Sequence, residues 1–356
     1  MKTREELLWA LERAGLESVV EETAAGWTLS VPALGARILG AGTGKENALW
    51  VAPSFRRGTW EEGGNAGGER SWIAPEAGPR GYFASLDGKT WNVQPSLDPG
   101  DYKSHNGTDG WRLWRNDFTL KSADGEQIRL ALSRGSRISD GPTPPDGAKI
   151  LRIGLLRKLE NRGDEPLPHL AGLWNIIQVP SGDGCVVLIP VKTRSKPAAV
   201  HPYYYKLPAE AISCTPGLVT LRMSGGRAYK IGVGPDASTG AIAALRWSRI
   251  EADRFCLVIL RFEVDPEARY LDRSSWEGEE GSTNGDPVQA YNSPALGENA
   301  FAEIEAHAPA AFLSPGECQS IKMEITIAES SGNSMQALIK SELGVDCFPG
   351  ELLKRK

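Results

Sequence analysis

Glu303, Glu305 and His307 stand at alternate positions in the stretch Phe301-Ala302-Glu303-Ile304-Glu305-Ala306-His307-Ala308-Pro309. On an extended strand, successive side chains point to opposite faces. These three therefore share one face with Phe301, and Ala302, Ile304 and Ala306 take the other. Two carboxylates and an imidazole in a row suit proton transfer. The same row suits a solvated strand face, or an oxygen-rich site for a large ion such as Ca²⁺. Neighbouring carboxylates raise one another's pKa, which favours a base or acid working near neutrality. Alternation alone does not choose between Glu303 and Glu305 as that base.

The other chemistry-bearing residues are scattered. His201 precedes Pro202 and the run Tyr203-Tyr204-Tyr205, surroundings that suit stacking on a sugar and an electrophilic role. It is the expected acid partner. His105, in Ser104-His105-Asn106-Gly107, falls in a loop-rich region and is an expected ligand contact, as is His307 on the glutamate face. His169 precedes a strand and reads as structural. Lys230, in Tyr229-Lys230-Ile231-Gly232, alternates outward and reads as a solvated lysine. Trp72 and Trp174 each suit either stacking on a pyranose or filling a core.

Elements of period two must position these groups. Trp27–Val31, 36–39, 48–51, 111–133, 150–160, 170–179, 185–190, 218–223, 229–233, 241–247, 255–264, 288–291 and 320–328 all read as strands. Asp124-Gly125 reads as a hairpin turn within the 111–133 run. Two helices are expected. One covers residues 3–16, capped by Thr3 with Glu6 three residues on and ended near Gly15; the other covers 334–343. Gly40-Ala41-Gly42-Thr43-Gly44-Lys45 lacks the leading Gly and the trailing Ser or Thr of a phosphate loop, and reads as a hairpin turn. Residues 52–110 are loop-rich. Their aromatics Trp60, Trp72, Tyr82, Trp91 and Tyr102 predict ordered, ligand-facing loops. Many strands and few helices predict an all-β antiparallel sandwich. The expected divisions are a helical extension at 1–20, the β domain at 21–332 with a turn-rich link at 140–147, and a helical tail at 333–356.

Composition narrows the classes. The chain has 356 residues and a net charge of −5, without a long basic run, so no nucleic-acid partner is expected. Five Cys, scattered and without C-x-x-C spacing, argue against a disulfide framework and a zinc site. No cofactor and no metal are expected. No apolar run is long enough to span a membrane, and the charged N-terminus lacks a signal-peptide core. A cytoplasmic setting is expected, and the sequon Asn106-Gly107-Thr108 is then incidental.

Several segments resemble the galactose-mutarotase-like, or aldose-epimerase-like, family. Leu34-Gly35-Ala36-Arg37-Ile38 with Ala48-Leu49-Trp50 is similar to its opening strand pair. Gly67-Gly68-Glu69-Arg70-Ser71-Trp72 is similar to the segment carrying its substrate-binding Arg. Lys158 to Pro168, with Asn161-Arg162-Gly163-Asp164, resembles its central strand and turn. Glu303 to Pro309 followed by Pro315-Gly316-Glu317 resembles its closing acidic strand. The resemblance spans about residues 25–330. It implies a β-supersandwich, Arg70 as a donor to sugar hydroxyls or a carboxylate, and a basic glutamate at Glu303 or Glu305. The family's His-x-Tyr-Phe-type motif is absent: the corresponding stretch reads Leu170-Ala171-Gly172-Leu173-Trp174-Asn175-Ile176. That departure argues against a galactose or glucose mutarotase and for a divergent subfamily. The expected ligand is a mono- or oligosaccharide, and the expected activity is epimerase- or lyase-like acid/base chemistry on a sugar or sugar acid. A non-catalytic sugar-binding module and a glycoside hydrolase are the alternatives.

Overall fold

The computed structural model describes the chain except for residues 58–63, 88, 106, 143–147, 183, 193–199, 204–205, 272–283, 347, 351–352 and 354–356. Trp60, Tyr204, Tyr205, Asn106 and most of the 140–147 link thus lie outside the described residues. The chain opens with helix α1 (Arg4–Arg13), whose N-cap Thr3 accepts from the Glu6 backbone N–H. Leu7, Ala10 and Leu11 bury its inner stripe against a three-stranded sheet of β1 (Val19–Glu22), β2 (Trp27–Val31) and β3 (Arg37–Gly42). Two expectations fail here. Gly40 and Gly42 belong to β3 and not to a turn, and residues 48–51 form no strand beyond a bridge from Val51 to Gly67. Packing explains the glycine at 40: a Cβ there would meet Leu7 Cδ2 of α1 at 2.6 Å.

Among the described residues, two antiparallel sheets make the body. The larger has ten strands, in spatial order β12 (Ile212–Thr215), β13 (Leu218–Arg222), β10 (Cys185–Pro190), β15 (Ala241–Trp247), β16 (Arg254–Phe262), β19 (Cys318–Ser331), β8 (Ile150–Asn161), β7 (Gln127–Asp140), β6 (Arg112–Lys121) and β5 (Lys103–His105). The smaller has six, in the order β11 (Val200–Pro202), β14 (Tyr229–Val233), β17 (Val288–Asn292), β18 (Phe301–His307), β9 (Gly172–Pro180) and β4 (Glu69–Ala74). The main core lies between them. Period two is visible in its contributors: Leu151, Ile153, Leu155 and Leu159 of β8 face Leu173, Ile177, Ala302 and Ile304 of the smaller sheet. The protein is therefore an all-β antiparallel sandwich, as the pattern predicts.

Strands β10, β15 and β16 are buried on both faces. Helix α2 (Gly332–Leu343) covers their outer face through Met335, Leu338, Ile339 and Leu343, each worth about 1.5–3 kcal/mol by burial. No helix among the described residues is long and apolar enough to cross a membrane.

Candidate functional site

Strand register places the chemistry on one face of the six-stranded sheet. Glu303 lies opposite Gln178 on one side and Tyr291 on the other, and Tyr291 lies opposite Lys230. Glu305 lies opposite Ile176 and Gln289, and Ile176 lies opposite Arg70. His307, Trp174 and Trp72 form the next row. Alternation turns all of these away from the sandwich core. On either side of β4 the chain brings Asn65, Glu76, Trp91, Val93 and Asp98 to this face, where they close a cleft of about 610 Å³. Its walls are aromatic (Trp72, Trp91, Trp174, Tyr291, Phe301), and its charges are Arg70, Glu76, Asp98, Lys230 and Glu303.

The two glutamates have different surroundings. Glu303 Oε1 accepts from Arg70 Nη2 at 3.1 Å and from Gln178 Nε2 at 2.6 Å. Its Oε2 takes no bond among the described residues, and the side chain lines the cleft. Burial pushes the Glu303 carboxyl up, and the neighbouring Glu305 charge adds to the push against Arg70, Lys230 and Gln178. Glu305 is fully buried. Its Oε2 accepts from Trp174 Nε1 at 2.7 Å and from Lys230 Nζ at 2.9 Å, with His307 Nε2 at 3.5 Å. Burial also works against the Glu305 charge, but Lys230 and His307 outweigh it and hold the carboxyl down at about 2. One carboxylate is thus a fixed counter-ion beneath the floor. The other lines the cleft and holds its proton more tightly than usual.

Arg70 is clamped in turn. Its guanidinium lies 3.8 Å from the Trp72 ring centroid and reaches Asn65 Oδ1 at 3.3 Å. Trp72 Nε1 donates to Asp98 Oδ2 at 2.8 Å, and Trp91 Nε1 donates to Glu76 Oε1 at 3.2 Å. Trp72 meets Trp174 edge-on at 5.3 Å and Trp91 at 5.5 Å. Trp91 is 45% exposed, which leaves part of its ring open to a ligand.

The expected site residues divide. Arg70, Trp72, Trp174 and Glu303 converge in the cleft. His307 is buried and stacks on Trp174 at 5.4 Å, behind the cleft wall rather than in it. His201 is not in this cleft; it faces a separate depression two strands beyond Tyr291. His105 is exposed on the edge strand β5 of the other sheet. His169 Nε2 lies 2.7 Å from the Tyr82 hydroxyl, a structural contact. Lys230 is the clearest correction: it is 2% exposed, bonded to Glu305, and its Nζ lies 4.7 Å from the Trp174 ring centroid. A strand buried on both faces hides its alternate lysine, and only the partner strands reveal that. Lys230 stands where an ion would have to sit against Glu305, and among the described residues no three His, Cys, Asp or Glu side chains are grouped as metal ligands. Glu76, Asp98 and Tyr291 were not singled out from the sequence. Trp91 was, as one of the loop aromatics.

A family model described as a family of unknown function, DUF6786, matches residues 31–348. No curated protein matches the sequence. Among solved structures, a galactose mutarotase-like protein from Lactobacillus casei is similar over 87% of this chain and 100% of its own, at 10% identity and a TM-score of 0.50. A galactose mutarotase related enzyme from Lactobacillus acidophilus covers 87% of this chain and 97% of its own, at 12% identity and a TM-score of 0.49. A galactose mutarotase-like protein from Clostridium acetobutylicum covers 89% and 99%, at 11% identity and a TM-score of 0.46. The shared property is the galactose-mutarotase-like sandwich fold.

Proposed function

For a chain that belongs to the DUF6786 family, we propose acid/base chemistry on a carbohydrate, epimerase- or lyase-like, with Glu303 as the proton-transferring group. The observation that carries this reading is Glu303 itself. It lines the cleft, has one oxygen held by Arg70 and Gln178, and has a carboxyl pushed up by burial. A raised pKa makes a carboxylate a stronger base. Trp72, Trp91 and Trp174 supply apolar faces for a pyranose ring, and Arg70 supplies donors to its hydroxyls. Glu303 takes a proton from the sugar, and Tyr291, which lines the same cleft, returns one to the oxygen that gains charge.

Hydrolysis is less well supported. It needs two available carboxyl groups flanking the bond, about 5–9.5 Å apart. Glu305 is committed to Lys230, Asp98 to Arg37 and Trp72, and Glu76 accepts from Trp91. The scattered cysteines, Cys185 and Cys256 buried among them, fit a reducing setting, and the proposed compartment is the cytoplasm.

The test is a panel of neutral sugars and sugar acids, read by thermal shift and by NMR exchange of anomeric and epimeric protons. Wild type stabilised by a sugar, with exchange lost at least about 10²-fold in Glu303→Gln, supports the reading. Stabilisation without any turnover makes the protein a binding module. No stabilisation by any sugar overturns the carbohydrate reading.

A further inference from the structure

The cleft face of the six-stranded sheet continues past Lys230 to the edge strand β11. His201 lies opposite Gly232, and the Tyr203 N–H bonds the Lys230 carbonyl, so both side chains point to the cleft side. His201 Nδ1 lies 2.7 Å from Asp286 Oδ1, and the Tyr203 hydroxyl donates to Asp286 Oδ2 at 3.0 Å. Asp286 is fully buried and seated directly over Gly232, where a Cβ would come within 2.2 Å of Oδ2. Burying a carboxylate costs several kcal/mol unless its partners are well placed. The side-chain partners of Asp286 among the described residues are Tyr203 and a His that keeps 27% of its side chain exposed.

A carboxylate at Nδ1 favours the tautomer protonated there and leaves Nε2 as a directed acceptor. The His201 ring borders a depression of about 550 Å³ that also holds Asp236, Arg269 and Asn284, donors and acceptors without an aromatic wall. Between this depression and the Glu303 cleft stand Tyr203 and Lys230, with Lys230 Nζ 5.6 Å from the Tyr203 ring centroid. From the Glu303 strand to the His201 strand there are three strand intervals, about 14 Å, more than one pyranose ring covers.

We propose that the His201–Asp286 depression is a distal subsite of the cleft. The ligand is then an oligosaccharide, with one unit against Glu303 and the tryptophans and a further unit bonding His201 Nε2. This rests on the carbohydrate reading above and adds the length of the ligand to it. The aromatic end grips ring faces; the His201 end reads hydroxyls.

The test is calorimetric titration with matched series from monosaccharide to tetrasaccharide of β-linked glucose, galactose and xylose. Affinity in the series that binds is expected to rise about ten-fold or more with length, the worth of one or two net hydrogen bonds. His201→Ala is expected to bring the tetrasaccharide back to the affinity of the monosaccharide. His201→Gln, which keeps volume and an acceptor, is expected to recover part of the gain, and unfolding temperatures without ligand check that both variants fold. A tetrasaccharide that binds no tighter than the monosaccharide, or a length gain indifferent to His201→Ala, overturns the subsite and leaves the cleft reading standing. Absence of binding by every sugar overturns both.

Discussion

Two neighbours on β4, Glu69 and Arg70, point to opposite faces and anchor two buried charge clusters of different kinds. Glu69 faces the sandwich core. Arg134 and Arg157, opposite each other on β7 and β8, reach across from the larger sheet to its two oxygens. Glu69 is fully buried, and the two arginines are 4% and 2% exposed. Burial disfavours its charge, but the paired guanidinium groups outweigh that and hold the carboxyl below its ordinary range. Arg70 faces the cleft and meets Glu303, which is nearly as buried. Glu303 has one oxygen engaged and a carboxyl pushed the other way. Burial is therefore no guide to role. Glu69, with each oxygen held by an arginine, joins the sheets, whereas Glu303 lines the cleft with one oxygen engaged.

Breaking the inner cluster should cost most. Glu69→Ala leaves two arginines buried without their partner, and unfolding in urea should show a loss of about 3–5 kcal/mol. Lys230→Met comes next, because Glu305 then loses its main cation. A loss of about 3 kcal/mol is expected, together with a rise of the Glu305 pKa from about 2 that carboxyl-carbon NMR would register.

Glu303→Gln should change stability at neutral pH by no more than about 1 kcal/mol while abolishing proton exchange on the ligand. Its pH dependence sharpens the comparison further. Glu303 has a raised folded pKa, so its contribution is full below the ordinary carboxylate range and is lost as pH rises through the folded value. Glu303→Gln lacks that loss, so its stability relative to wild type should climb as pH rises. Glu69 has a lowered folded pKa, so its contribution is present above the ordinary range and is lost as pH falls through the folded value. The penalty of Glu69→Gln should therefore shrink toward acid. Urea unfolding of both variants across pH decides this: parallel slopes would erase the distinction between the clusters. The smallest effect belongs to His105→Ala on the exposed edge, within about 0.5 kcal/mol and without change in sugar binding.

Local pattern made much of the molecule legible. The boundaries of β2, β10, β14 and β15 follow from alternation and turn residues, and α1 from its cap and apolar stripe. The shared face of Glu303, Glu305 and His307 follows from period two alone. Short or edge strands such as β1, β5, β11 and β12 carry too few residues to show a period. Lys230 was misread because alternation says which residues share a face but not whether that face is covered.

The sequence by itself determined that this is an antiparallel β-sandwich, with two carboxylates on one face of a late strand. These are consequences of side-chain periodicity, which is local. Only the tertiary structure decided which carboxylate is the counter-ion and which meets the cleft. Strand pairing sets that choice: it joins Lys230 to Glu305 across 75 positions and Arg70 to Glu303 across 233. It also carried His201 to the far edge of the same sheet, beside Asp286 rather than beside the glutamates. Register between distant strands depends on the whole sheet closing over its core, and no short stretch of the chain encodes it.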